Sequence, residues 1–415
     1  MIKLIDRPMI KKVICFFLSL LLLALFPTVR VNAQEESTTE EFQAVWISYL
    51  EFLDRLKDPK TGVAGFTEER FHTVVDEMFD NVAAMNMNAV VVHVRPFGDA
   101  MYPSDYFPWS KYISGTQGKD PGFDPLDYMV SAAHERGLQF HAWINPYRIT
   151  SDTTDVKTLS KDNVARKWLT NKSKNDDRRV LSFGGALYYN PSDTVVQSYI
   201  SYGIQEIVEN YDVDGIHFDD YFYPTLGTDY KKTFDYKEYK EYSSECKENG
   251  VKAMNIADWR RNNVNQLLKT VYSDIKGINE EVVFGISPGG FLDLLLRDDR
   301  YYTDIKTWLS EPGYIDYICP QLYWSFEHKQ YPYDKILDRW LELRTNEDVK
   351  MYVGIAAYRA GSTRESAWKD PEILKDMIEH GRDTGLVDGY IYFRYDFFYN
   401  KVTKKAIAKL LDIIN

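Results

Sequence analysis

The sequence predicts an α/β fold, a (β/α)8 TIM barrel with insertions in its βα loops. Three observations carry that prediction. Eight short apolar stretches alternate with helix-length stretches over about 370 of the 415 residues. Several of the eight end in polar or aromatic residues, and the strand ends are where a parallel barrel builds its site. No GxGxxG or P-loop follows an early strand, which removes the doubly wound open sheet as the nearest alternative.

Taken in order, Phe42–Ile47 reads as the first strand and ends in Ser48, Tyr49 and Glu51. Thr67 caps a helix running to about Met85, with Phe71, Val74, Val75, Met78, Phe79 and Val82 at helical spacing. Ala89–Val94 is the second strand, ending in Arg95-Pro96 and the loop FGDAMYPSDYF. A helix over Pro125–Arg136 stops at Gly137. The third strand, Leu138–Ile144, ends in Asn145-Pro146-Tyr147-Arg148. A long connection containing Tyr188-Tyr189-Asn190-Pro191 leads to a helix over about Thr194–Asn210. Asp214-Gly215 then turns into the fourth strand, Ile216–Phe218, which ends in Asp219-Asp220 and three aromatics.

Residues 225–256 are rich in Lys, Glu and Tyr and read as an excursion on top of the barrel rather than a domain. Asp258–Lys276 is helical. Glu281–Ile286 is strand five, ending in Ser287-Pro288-Gly289-Gly290, and Ile315–Pro320 is strand six, ending in Gln321-Leu322-Tyr323-Trp324. Met351–Ala356 and Gly389–Phe393 are strands seven and eight, the last ending in Arg394-Tyr395-Asp396. Lys401–Ile414 forms a closing helix.

The first 33 residues differ from the rest. Lys3, Arg7, Lys11 and Lys12 precede an apolar run from Val13 to Phe26, and Val31-Asn32-Ala33 supplies small residues. This is the order of a secretory signal peptide cleaved after Ala33, followed by a polar leader, residues 34–41. Retention of the segment as an anchor is the alternative, although the run is short for a membrane span. Residues 1–33 hold five basic residues and one acidic. The remainder therefore carries 45 Lys and Arg against 61 Asp and Glu, a net of −16. Such a surface repels polyanions and argues against nucleic acid and anionic lipid as partners. Cys246 falls in a charged helical stretch and Cys319 in an apolar strand, so no disulfide is expected.

Strand parity indicates which side chains face the barrel axis. In strand three Gln139, His141, Trp143 and Asn145 share a face, and this polar set must point inward because the outer face packs on helices. His93 shares a face with Arg95 in strand two, and His217 with Asp219 and Tyr221 in strand four. Asp220 reaches the same site only if the chain bends or bulges after Phe218. Three histidines on neighbouring strands raise a metal site as a reading. The HxH pair usual in metallohydrolase barrels is missing, so no cofactor or metal is expected. Acyl transfer lacks a GxSxG elbow or a strand-end Cys. What remains is carboxylate chemistry beside Trp46, Trp143, Tyr323 and Trp324, rings suited to the apolar faces of sugars.

FQAVWIS, VHVRPFGDAMYPS, FHAWINPYR, NPS, DGIHFDDYFYP, WRRNNV, ISP and QLYW occur in that order. Together they resemble the glycosyl-hydrolase-like family of bacterial exported TIM barrels, over about residues 41–400. The resemblance implies hydrolysis of glycosidic bonds in a polysaccharide, with peptidoglycan strands as the expected substrate, and carries over Arg95, Asn145, Asp219, Asp220 and Gln321 as active-site residues. The central motif also echoes the chitinase strand D-G-x-D-x-D-x-E, with Asp214-Gly215 and Asp219 in register. Tyr221 stands where that pattern has its acid Glu, and His217 replaces one Asp, so a chitinase mechanism does not simply transfer.

The expected site has Asp220 as general acid with Asp219 tuning it, and His141, Trp143, His217, Tyr221, Tyr323, Trp324 and Asp396 join Arg95, Asn145 and Gln321 toward the glycan. The second carboxylate is open among Asp396, Glu51 and Asp99, or is replaced by a substrate N-acetyl group. Two other readings stand beside this one, a non-catalytic glycan-binding barrel and a metal-dependent deacetylase.

Overall fold

The computed structural model describes residues 41–414 apart from 59, 61, 63 and 362–364. The expected signal peptide and nearly all of the leader lie outside the described residues. Among the described residues, parallel strands close a barrel in the order β1 (Phe42–Ile47), β2 (Ala89–Arg95), β3 (Gln139–Ile144), β4 (Gly215–Phe218), β5 (Val283–Ile286), β6 (Tyr317–Ile318), β7 (Lys350–Ile355) and β8 (Gly389–Tyr392), with β8 returning to β1. This is the (β/α)8 barrel the sequence predicts. Strands β5 and β6 are shorter than expected, and a hairpin (Val180–Phe183 with Ala186–Tyr189) occupies part of the long connection after β3.

Helices cover the outer face. In α1 (Glu68–Ala84) Thr67 Oγ1 accepts from Arg70 N at 3.2 Å, and the six expected apolar side chains are buried. Burying each such side chain stabilises by about 1.5–3 kcal/mol before the entropy of ordering is set against it. Around the barrel follow α2 (Pro125–His134), α3 (Thr194–Asn210), α4 (Tyr236–Glu248), α5 (Ile256–Ile278), α6 (Tyr333–Leu343), α7 (Ile373–Asp383) and α8 (Lys404–Ile414). The sequence reading sets no helix at α6 or α7, although both carry amphipathic spacing, with Ile336, Leu337 and Trp340 buried in one and Leu374, Met377 and Ile378 in the other. α4 lies within the polar excursion and buries none of its own residues. The excursion is tied down by Asp235, whose carboxylate meets the Arg260 guanidinium at 2.5 Å with both side chains fully buried. The hydroxyls of Tyr223 and Tyr302 complete that cluster.

Register is set at the lower end of the barrel by a device that repeats four times. Asn88, Asp214, Asp316 and Asp388 each stand immediately before an even-numbered strand. Each side-chain oxygen accepts the backbone N–H of the second residue of the preceding odd strand, namely Gln43, Phe140, Phe284 and Met351, at 2.7–2.8 Å. Each backbone N–H returns a bond to the carbonyl of the same partner. A one-residue slip would break both bonds and turn every inward side chain outward. Asp214, the residue in register with the chitinase pattern, is thus a structural pin.

The lower barrel interior is filled by Phe42, Ala44, Ala89, Val91, Tyr317, Cys319 and Ile391. Through them runs a directed hydrogen-bond chain. Trp46 Nε1 can only donate, and it lies 3.2 Å from His217 Nε2, so that nitrogen accepts. The proton of neutral His217 is then on Nδ1, which donates to the Tyr317 hydroxyl at 2.9 Å, and that hydroxyl donates to His141 Nδ1 at 3.1 Å. Burial holds both imidazoles neutral, with His141 pushed down to about 4 and His217 well below its usual range. Gly285 has no side chain because a Cβ there would run into the Tyr317 ring.

Candidate active site

Above this layer the strand ends open into a cavity of about 290 Å3. Its floor and walls include Trp46, His93, Trp143, Asn145, Asp219, Asp220, Tyr221, Gln321 and Tyr323. Strand β4 ends at Phe218, and the irregular backbone after it lets both aspartates reach the cavity, the condition set above for Asp220. Asp219 is buried and each of its oxygens accepts an N–H, Oδ2 from Trp143 Nε1 and Oδ1 from Tyr221 N, both at 3.2 Å. Asp220 is half-buried.

Burial raises the carboxyl of Asp219 well above its ordinary value, and the neighbouring Asp220 charge raises it further; Arg148 and the two N–H donors pull it back. Burial pushes Asp220 up to about 6, against its own backbone N–H and Arg148. Two carboxylates this close titrate as a pair that keeps a proton beyond the ordinary carboxylate range. Both oxygens of Asp219 already face N–H donors. Those donors oppose the burial of Asp219 without cancelling it, so the proton belongs to the pair as a whole.

Around the pair, Trp143 is fixed from the far side by His93, whose ring stacks on it at 3.6 Å and 5°. Asn145 Nδ2 donates to Pro96 O at 3.0 Å, while its Oδ1 has no donor among the described residues. Gln321 Nε2 donates to Ser287 O at 3.1 Å. Tyr221 stays 47% exposed under the Arg148 guanidinium, which sits 4.2 Å from the ring centroid. Arg148 is the functional candidate that sequence reasoning missed. Its signal was present in the strand-end motif FHAWINPYR, two residues past the prolyl turn.

Seven of the twelve expected site residues converge: Trp143, Asn145, Asp219, Asp220, Tyr221, Gln321 and Tyr323. The other five do not line the cavity, each for a physical reason. His141 and His217 have the expected inward parity but lie in the hydrogen-bonded layer with Tyr317. Arg95 fails on parity. The β2–β3 register shifts between His93 and Arg95, which aligns Arg95 with outward-facing Ile144 and sends its guanidinium over the Phe107 ring at 4.2 Å, next to Gly203 of α3. Trp324 packs on Tyr331 and Phe291, away from the cavity. Asp396 is held by Arg55 at 3.0 Å and Arg394 at 3.2 Å.

The open choice of second carboxylate narrows in the same way. Glu51 is fully buried, closes a capping box with Ser48 and pairs with Arg394. Asp99 faces a neighbouring cavity. Among the described residues, Asp219 and Asp220 are the carboxylates that line this cavity, and no three His, Cys, Asp or Glu side chains converge as a metal cage.

A carboxylate pair at the end of β4, walled by indole and phenol rings, is a glycosidase-like arrangement, and comparison with known proteins agrees. The family model for glycosyl hydrolase-like 10 matches residues 41–370. The chain belongs to this family. Its relatives include glycosyl hydrolase YngK of Bacillus subtilis, 37% identical over 401 residues covering 92% of this chain and 73% of the relative. Glycosyl hydrolase DigH of Escherichia coli K12 is 31% identical over 410 residues, covering 91% of this chain and 88% of the relative. In fold, this member of the family resembles the PgaB (BpsB) glycoside hydrolase domain from Bordetella bronchiseptica. The TM-score is 0.59 at 13% identity, covering 89% of this chain and 99% of that domain. A β-galactosidase from Bacillus circulans sp. alkalophilus matches with a TM-score of 0.55 at 10% identity, covering 90% of this chain and 56% of that one.

Proposed function

We propose that the protein is an exported glycoside hydrolase that cleaves a bacterial polysaccharide, with peptidoglycan glycan strands as substrate. The observation that carries the reading is the Asp219–Asp220 pair, facing one aromatic-walled cavity with a proton to give. Export is supported by the basic-apolar-small order of residues 1–33, and a glycan rather than a polyanionic partner by the acidic surface. Among the described residues no helix is long and apolar enough to cross a membrane.

Hydrolysis by two protein carboxylates requires them to flank the bond, about 5–9.5 Å apart on opposite sides. Here both stand on one strand end, and among the described residues no third carboxylate lines the cavity. The arrangement fits a substrate whose 2-acetamido group supplies the nucleophile. Asp220 O–H protonates the glycosidic oxygen as the C1–O bond breaks. The acetamido carbonyl oxygen bonds to C1, and Asp219 accepts the acetamido N–H. Water then attacks C1, its proton passes to the Asp220 carboxylate, and the acetamido group is released with net retention. Trp143 and Tyr323 supply flat faces for the ring, and Asn145 Oδ1 an acceptor for a hydroxyl.

The test is to incubate the protein, lacking residues 1–33, with wall glycan strands in native and chemically N-deacetylated form. New reducing ends from the native strands only, first released in the retained anomeric configuration, are expected. Equal cleavage of both forms would remove the acetamido step and leave the hydrolase. Binding without any new reducing ends would favour the non-catalytic barrel.

A further inference from the structure

Beside the catalytic cavity lies a second one, of about 360 Å3, between the loops that follow β2 and β3. A single layer of side chains separates the two. Tyr49 lines the catalytic cavity, and its ring packs on Tyr112 at 4.6 Å and Phe97 at 5.5 Å, both of which line the second. Arg148 lines the catalytic cavity and sits 5.1 Å from the Phe97 centroid. The two spaces thus share a wall at the C-terminal ends of β1–β3, the end of a barrel where ligands bind.

The second cavity contains a carboxylate with no structural task that uses both oxygens. Asp99 is buried, with 2% of its surface exposed. Gln117 Nε2 donates to its Oδ2 at 2.8 Å and the nearby Ser110 hydroxyl also steadies the charge, whereas Oδ1 meets no donor in hydrogen-bond geometry among the described residues. Gln117 is itself fixed, because its Oε1 accepts from Ser160 N at 2.8 Å. A buried acceptor left open costs stability, so an open one beside a catalytic cavity calls for a ligand donor.

We propose that this cavity is a second sugar subsite, in which Asp99 accepts a hydroxyl of a neutral saccharide unit that adjoins the unit being cleaved. The ligand is a hydroxyl-rich ring because the acceptor is a single carboxylate oxygen beside the apolar surfaces of Phe97, Tyr112 and Ile149. Burial also pushes Asp99 up to about 6, so the group can meet a hydroxyl either as acceptor or, protonated, as donor. A polymer substrate needs such room, since a cavity of about 290 Å3 is at the small end of ligand sites, roughly 300–1,000 Å3. The subsite rests on the glycan reading above, and a single series of experiments separates the two.

Ser151 lines the cavity and is exposed, so Ser151→Trp fills the space from outside without disturbing the core. Asp99→Asn removes the charge and halves the accepting capacity. Both variants and the unsubstituted protein are titrated calorimetrically with wall-glycan oligosaccharides of increasing length, and KM and kcat are measured on the same series. The expected result is affinity for the longer oligosaccharides weakened roughly tenfold, the weight of one or two hydrogen bonds, with kcat unchanged. Cleavage should also move along the chain, and the shortest cleaved substrate should be unaffected. Ser151→Trp with unaltered affinity at every length overturns the subsite and leaves the hydrolase standing. If the unsubstituted protein binds the glycans but cleaves none, the hydrolase reading falls, and the length dependence of binding still decides the subsite. An unsubstituted protein that binds no oligosaccharide overturns both.

Discussion

The lower and upper halves of the barrel interior use the same kinds of residue to opposite ends. In the lower half His141, His217, Tyr317 and Trp46 are buried polar side chains whose donors and acceptors pass in one direction from ring to ring. In the upper half Asp219, His93 and Asn145 are also buried and Asp220 half-buried, yet one carboxylate pair shares a proton, Asn145 Oδ1 has no donor, and neither ring nitrogen of His93 has a hydrogen-bond partner among the described residues. A buried polar group costs stability unless it is paired. The lower layer meets that requirement within the fold, and the rim meets it only in part. Between these two layers, satisfaction of hydrogen bonds marks the difference more than residue type does.

The largest expected effect is at the rim. Asp220→Asn should lower kcat by about 10²–10⁴-fold, the usual contribution of a general acid, while calorimetric binding of glycan persists. Asp219→Asn should also slow turnover and move a limb of the pH–rate profile. A near-normal rate for Asp220→Asn with an inactive Asp219→Asn would reverse the two roles.

Next comes the lower layer. Tyr317→Phe removes the hydroxyl between two imidazoles and strands His217 Nδ1–H and His141 Nδ1. A loss of about 2–4 kcal/mol in denaturant unfolding is expected, with kcat of the folded protein changed little. A large fall in kcat without a loss of stability would place this layer in the catalytic machinery and dissolve the contrast.

A smaller effect concerns stability against pH. A carboxyl whose folded pKa lies above its unfolded value of about 3.9 costs the fold nothing below that value. The cost grows as pH rises through the folded value, about 6 for Asp220. Asp220→Asn should therefore be more stable than the parent by about 1–3 kcal/mol at pH 8, and the gap should close by pH 4. A gap that widened on acidification would mean the pair stabilises the fold.

The smallest effect is expected at Arg95, the family-motif residue that lies outside the cavity. Arg95→Met keeps the stem that packs against Phe107 and α3. The rate should stay within about twofold, a change below 0.5 kcal/mol. A hundredfold loss would restore Arg95 to the site.

Much of this was legible in one dimension. The apolar period of α1, the prolines and glycines at element ends, and the alternation along β3 are local properties, and they placed the barrel together with Trp143, Asn145 and Asp219. Side-chain direction in a regular strand follows from covalent geometry alone, so parity works wherever the strand is regular. It failed at Arg95, because the shift between His93 and Arg95 arises from pairing with β3, a segment some fifty residues away. Height along the barrel axis was likewise out of reach. His141 and His217 point inward as expected, and only the stagger of neighbouring strands decides that they meet Tyr317 below the cavity. Charge partners were the third gap: Glu51 and Asp396 look like free strand-end acids until β8 returns to β1 and brings Arg394 between them. Residue order determined which chemistry this chain carries and on which strands. The closure of the sheet decided which of those groups are satisfied by one another and which are left to bind, because an ion pair or a hydrogen bond between distant segments exists only once the barrel brings them into contact.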